Sequence, residues 1–68
     1  MALLAFDANE KMVDLIDQLK VATDSPSRAE AIRRAVRVYK VLADIRQAGG
    51  KIGVLDDKGE VVKEVIIP

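Results

Sequence analysis

The side chains able to do chemistry in this 68-residue chain are cationic and hydroxylic, and none of them forms a nucleophile–base pair. Ser25, Ser27 and Arg28 stand at the head of a basic run, and Arg33, Arg34, Arg37 and Lys40 follow at helical spacing. Residues 28–51 hold seven Lys or Arg against Glu30 and Asp44 alone, whereas residues 1–27 and 52–68 each carry an excess of acid. The positive middle is therefore the part a polyanion would meet. Two serines and an arginine around a helix start suit a phosphate, because the first helical N–H groups and the positive dipole end point the same way. That makes Ser25, Ser27 and Arg28 candidate contacts, with Lys11 a further cation on the preceding helix. Covalent and acid–base chemistry is not expected. The chain has no Cys and no His, which removes disulfides, the usual zinc sites and the commonest general base. Ser25 and Ser27 have no evident base, Asp56-Asp57 reads as part of a turn, and Gly49-Gly50 lacks the pattern that follows in a phosphate-binding loop. Neither a cofactor nor a metal is expected, and the chain reads as a non-enzyme.

The elements that must position these residues can be read along the chain. Ala2 to Phe6 is short and apolar, which suits a strand. So short a strand cannot stand alone, and with no neighbour in sequence its economical partner is a symmetry mate. Asp7 with Glu10 three residues later reads as a capping box, opening a helix that carries Met12, Leu15, Ile16 and Leu19 on one face and ends near Ala22. Thr23-Asp24-Ser25-Pro26 stops it, since the residue before proline is pushed out of helical conformation. Ser27 caps a second helix with Glu30 in capping-box register. Ile32, Ala35, Val36, Tyr39, Leu42 and Ile45 trace an apolar stripe along it, and Gly49-Gly50 ends it. Lys51 to Leu55 and Glu60 to Ile67 flank Asp56-Asp57-Lys58-Gly59, a hairpin signal. Simple alternation puts Val61, Val65 and Ile67 on one face of this hairpin and Val62 and Ile66 on the other.

Bulk properties decide how such elements become stable. A chain of 68 residues is marginal by itself, and without disulfides or metal the remaining route is association. Half the residues are apolar and Phe6 and Tyr39 are the only aromatics, so the core must be aliphatic. No stretch has the roughly 20 apolar residues of a transmembrane helix, and the N-terminus lacks the basic start of a signal peptide. The expected setting is cytoplasmic, with no membrane partner.

The order strand, helix, helix resembles one family. Ser27-Arg28-Ala29-Glu30-Ala31-Ile32-Arg33-Arg34-Ala35-Val36-Arg37-Val38-Tyr39 closely resembles the start of the second helix in ribbon-helix-helix proteins of the Arc, MetJ and CopG repressor type. Leu15, Ile16 and Leu19 before Ala22-Thr23 fit its first helix, and the Gly-Gly junction with a terminal hairpin occurs in a subset. The resemblance covers residues 2–50 well and the remainder loosely. It implies a mainly α fold with short β structure: an intertwined homodimer in which two N-terminal strands pair and four helices interlock. Residues 1–50 would form the ribbon-helix-helix domain and residues 51–68 a C-terminal β-hairpin extension. The dimer core would draw on Leu4, Phe6, Ile32, Ala35, Val36, Tyr39 and Leu42.

The resemblance also implies a small DNA-binding transcriptional regulator or antitoxin, with the ribbon in the major groove. With Leu4 and Phe6 facing inward, the outward positions are Leu3, Ala5 and Asp7. Base readout calls for donors and acceptors there, and Leu3 and Ala5 offer only apolar contact with a thymine methyl. A second expectation follows: a dimer without base readout, binding a protein partner through its apolar ribbon or through strand addition at the hairpin edge. The partners expected are thus a second copy of the chain, together with either duplex DNA or another protein.

Overall fold

A computed structural model describes Ala5 and residues 7–68. The expected strand, with Leu3, Leu4 and Phe6, lies outside the described residues apart from Ala5, which is exposed and has no regular secondary structure. Two helices and a two-stranded sheet follow: α1 (Glu10–Ala22), α2 (Arg28–Gln47), β1 (Ile52–Leu55) and β2 (Val61–Val65). The fold is mainly α with short β. Its contacts group into residues 1–34 and residues 35–68.

In residues 1–34 the first helix starts two residues later than the acidic pattern suggested. Asn9, not Asp7, is the N-cap: its extended backbone lets the side-chain oxygen accept the Met12 N–H at 2.9 Å. Asn and Asp cap almost equally well, so Glu10 three residues after Asp7 was no guide to which of the two serves. Asp7 is exposed ahead of the helix, and Glu10 becomes the first helical residue, where its charge still favours the positive dipole end. Val13, Ile16 and Leu19 are half-buried, whereas Met12 and Leu15 of the expected apolar face are exposed, Leu15 to 58%.

The end of α1 is closed before proline can break it. The Asp24 N–H donates to the Val21 carbonyl at 3.2 Å and the Ser25 N–H to the Lys20 carbonyl at 2.9 Å, with Asp24 in the left-handed region at φ 50°. This is a Schellman closure with aspartate in the place usually taken by glycine. Ser27 then caps α2 as its sequence suggests: its hydroxyl accepts the Glu30 N–H at 3.1 Å and its carbonyl the Ala31 N–H at 3.0 Å. Ala31 is the one described apolar residue that is fully buried.

Residues 35–68 begin within α2. The helix ends in a second Schellman closure, with Gly49 N–H on the Arg46 carbonyl at 3.0 Å and Gly50 N–H on the Ile45 carbonyl at 2.9 Å. Both glycines are needed, for different reasons. Gly49 has φ 86°, and a Cβ on Gly50 would lie 2.8 Å from Ile45 Cγ2 and 3.0 Å from its carbonyl oxygen. Strands β1 and β2 pair antiparallel around Asp56–Gly59, with Gly59 at φ 83°. The Asp56 carboxylate accepts the Lys58 and Glu60 N–H groups, both at 2.9 Å, so aspartate organises the turn that glycine permits.

The register corrects the expected division of the hairpin into faces. Ile52 pairs with Val65, Gly53 with Glu64 and Val54 with Lys63, but Leu55 pairs with Val61 across an irregularity. Paired residues share a face and faces alternate along a strand, so the extra residue in β2 puts Val61 and Val65 on opposite sides. A bulge of this kind cannot be seen in period-two counting. The chain end is tied back within this unit: the Tyr39 hydroxyl donates to the Pro68 carbonyl at 3.0 Å, and the Arg46 guanidinium donates to the Ile67 carbonyl.

Candidate nucleic-acid interface

The turn between α1 and α2 gathers most of the polar side chains singled out by their type. Arg28, the first residue of α2, reaches back across the turn to Asp17 on α1. Its Nε donates to one carboxylate oxygen at 2.7 Å and its Nη2 to the other at 2.9 Å. The two-pronged hydrogen bond, more than the accompanying charge, holds the Asp17 carboxyl below the usual carboxylate range. Neither partner is buried: the Arg28 side chain is 60% exposed and that of Asp17 45%. An open groove of about 720 Å³ lies alongside, lined by Asp17, Lys20, Pro26, Ser27 and Arg28 among others. Two cations and one carboxylate thus border the start of α2, whose first N–H groups lack intrahelical acceptors by construction.

Beneath the groove a second set of bonds locks the turn. The Thr23 hydroxyl donates to the Leu19 carbonyl at 2.7 Å and lies 2.6 Å from the Ser25 hydroxyl. With its proton already committed, Thr23 accepts from Ser25. Arg34 Nη1 donates to the Thr23 carbonyl at 2.9 Å and to Ser25 Oγ at 3.1 Å, and its Nε lies 3.5 Å from a Glu30 oxygen. Ser25 is 7% exposed, so its hydroxyl faces the turn and not the groove.

The four residues expected at an anion site therefore separate. Arg28 is exposed and paired with Asp17, Ser27 is exposed with its oxygen engaged in the cap, and Ser25 is an internal strut. Lys11 is exposed on the first turn of α1. Further along the basic surface, Arg33 lies 3.3 Å from Glu30 and Lys40 pairs with Asp44. Neither Asp17 nor Lys20 is among the site residues expected from the sequence, and Arg34 is expected there only as part of the basic run. Asp17 and Lys20 are three apart on α1 and so share a face, a signal that was present. That Arg34 would turn onto the α1 end, eleven residues back, had no local signal.

Elsewhere the described helices expose much of their apolar surface. Val36 is 62% exposed and Tyr39 52%, while Ile32, Ala35 and Leu42 are partly exposed. No large side chain among the described residues is fully buried. No described helix is long and apolar enough to cross a membrane.

No curated protein and no solved structure matches the chain. A family model described as "Ribbon-helix-helix protein, copG family" matches residues 6–43, more than half of the chain and all of α1 with most of α2. The two capped helices, the locked turn between them and the uncovered stripe on the second are the parts that match spans, and the chain belongs to the ribbon-helix-helix proteins of the copG family.

Proposed function

We propose that the protein is a small DNA-binding transcriptional regulator that acts as an intertwined homodimer. The observation that carries this reading is the family match over both helices, joined to a helix start bordered by Lys20 and Arg28. The dimer is supported by the state of one chain: with Val36 and Tyr39 more than half exposed and no large side chain among the described residues fully buried, a single copy has too little core to stand in water. The stripe Ile32, Ala35, Val36, Tyr39 and Leu42 joins Leu4 and Phe6 in the core of the pair. Residues 1–50 form the regulator domain, and residues 51–68 are an extension. The backbone of DNA is met by the start of α2 and by Arg28 and Lys11, while Ser27 and Ser25 shape the turn that presents them. The setting is the cytoplasm, and the reading includes no catalytic chemistry.

A second reading is favoured by the residue types expected at the outer face of a ribbon. Leu3, Ala5 and Asp7 lack the donors that read bases, and the hairpin exposes Val54, Leu55, Val61 and Val62. On this reading the dimer is an assembly module. One titration separates the two: fluorescence anisotropy of the purified protein against duplex DNA, including its own upstream region and a shuffled control, at low and near-physiological salt. The regulator reading expects saturable binding that prefers the upstream sequence and survives the higher salt. Equal affinity for both duplexes, or none, transfers the function to a protein partner.

A further inference from the structure

We infer that Asp17 is a built-in competitor of DNA phosphate for Arg28, setting how tightly the start of α2 holds the nucleic acid backbone. The inference rests on the DNA-binding reading and specifies the regulation of that same site. A guanidinium recognises carboxylate and phosphate with the same planar fork. Asp17 already fills that fork, with Nε and Nη2 each on a separate carboxylate oxygen at 2.7 and 2.9 Å. Both side chains remain substantially exposed, so the pair can be exchanged without opening the fold, and exposed pairs are weak enough for an incoming anion to displace. The exchange also has a direction. Lys20 borders the same groove and the helix start adds its own positive potential, so a phosphate entering there meets two cations once Arg28 turns from Asp17. The carboxylate left behind repels the phosphate it has made way for. Affinity is thereby held down by a residue that contacts no DNA, in keeping with a chain of zero net charge.

Two variants break the same pair with opposite consequences. Asp17→Asn removes the competitor and leaves the cation; Arg28→Gln removes the cation. Anisotropy titrations over a range of salt are expected to show Asp17→Asn binding the duplex about three- to tenfold more tightly at low salt. The slope of log affinity against log salt should steepen by about 0.9 for each phosphate newly engaged. Arg28→Gln should bind more weakly than the natural protein, and adding it to Asp17→Asn should erase the gain. A merely structural tie would move both single variants in one direction, and that result overturns the inference, as does unchanged affinity in Asp17→Asn while the natural protein binds. If neither the natural protein nor Asp17→Asn binds any duplex, the DNA-binding reading falls and this inference with it. A measurement on the natural protein needs no variant to fold: the Arg28 Nε–H resonance should shift on addition of duplex DNA, and a stationary signal under saturating DNA overturns the competition.

Discussion

Asp24 and Gly49 occupy the same station at the ends of two successive helices, and only one of them is glycine. Each lies in the left-handed region, at φ 50° and 86°, and each donates its N–H back to close a helix. A side chain there approaches the following carbonyl, a cost of roughly 1–2 kcal/mol for ordinary residues and less for Asp or Asn. The two positions should respond in opposite directions to opposite changes. Gly49→Ala is expected to destabilise by roughly 1–2 kcal/mol, whereas Asp24→Gly should stabilise by under about 1 kcal/mol. Urea unfolding of both variants, compared at constant m-value, reads the two signs directly. Gly49-Gly50 could be recognised in the sequence because glycine advertises such a site. Asp24 could not, since aspartate is as common in ordinary loops.

At the scale of elements, what joins α1 to α2 is polar and lies on two levels. Arg34 binds the Thr23 carbonyl and Ser25 from within, and Arg28 clasps Asp17 from outside. The outer clasp carries a pH signature. Because Arg28 holds the Asp17 carboxyl below its ordinary range, the unfolded chain binds more protons than the folded one as acid is added. The contribution is therefore complete above about pH 5, where an unfolded aspartate is ionised, and is lost as pH falls through the lowered folded value. Thermal melts from pH 7 to pH 2 should show the difference between the natural protein and Asp17→Asn closing below the usual carboxylate range. A difference that stays constant to pH 2 would mean the clasp does not contribute through ionisation. The hairpin shows the other limit of reading elements in order. Its turn was legible from Asp56-Asp57-Lys58-Gly59, but the bulge that separates Val61 from Val65 depends on how β1 meets β2.

The whole molecule is set by what one chain leaves uncovered. Helix α2 exposes Val36 and Tyr39 on one side and Val38 and Val41 on another, more apolar surface than a soluble monomer ordinarily keeps in water. If the pair is the folding unit, stability must depend on concentration. The melting temperature of the natural protein should rise measurably over a hundredfold increase in concentration. Val36→Lys, which puts a charge into the proposed interface, should yield an unfolded monomer by sedimentation and circular dichroism. A folded Val36→Lys monomer would show that the stripe is not the core of a dimer.

Composition, periodicity and caps by themselves determined that this chain carries two helices and a terminal hairpin. They also determined that Ser27 opens the second helix and that Gly49-Gly50 ends it, while the family entered as a resemblance of residues 27–39 that the match over residues 6–43 bears out. These depend on local rules, in which a residue's neighbours within one turn decide its conformation. Asn9 rather than Asp7 as the first cap is also local, a choice between two residues that cap almost equally well. Tertiary structure decided the rest: Ser25 inside the turn, Arg34 beside it, and Arg28 in the grip of Asp17. Each of these joins groups that several conformations of the chain could equally bring together. Eleven residues separate Arg28 from Asp17, as they separate Arg34 from Thr23. Which cation takes which partner across such a gap depends on the angle of the turn between the helices, and that angle is a property of the packed chain.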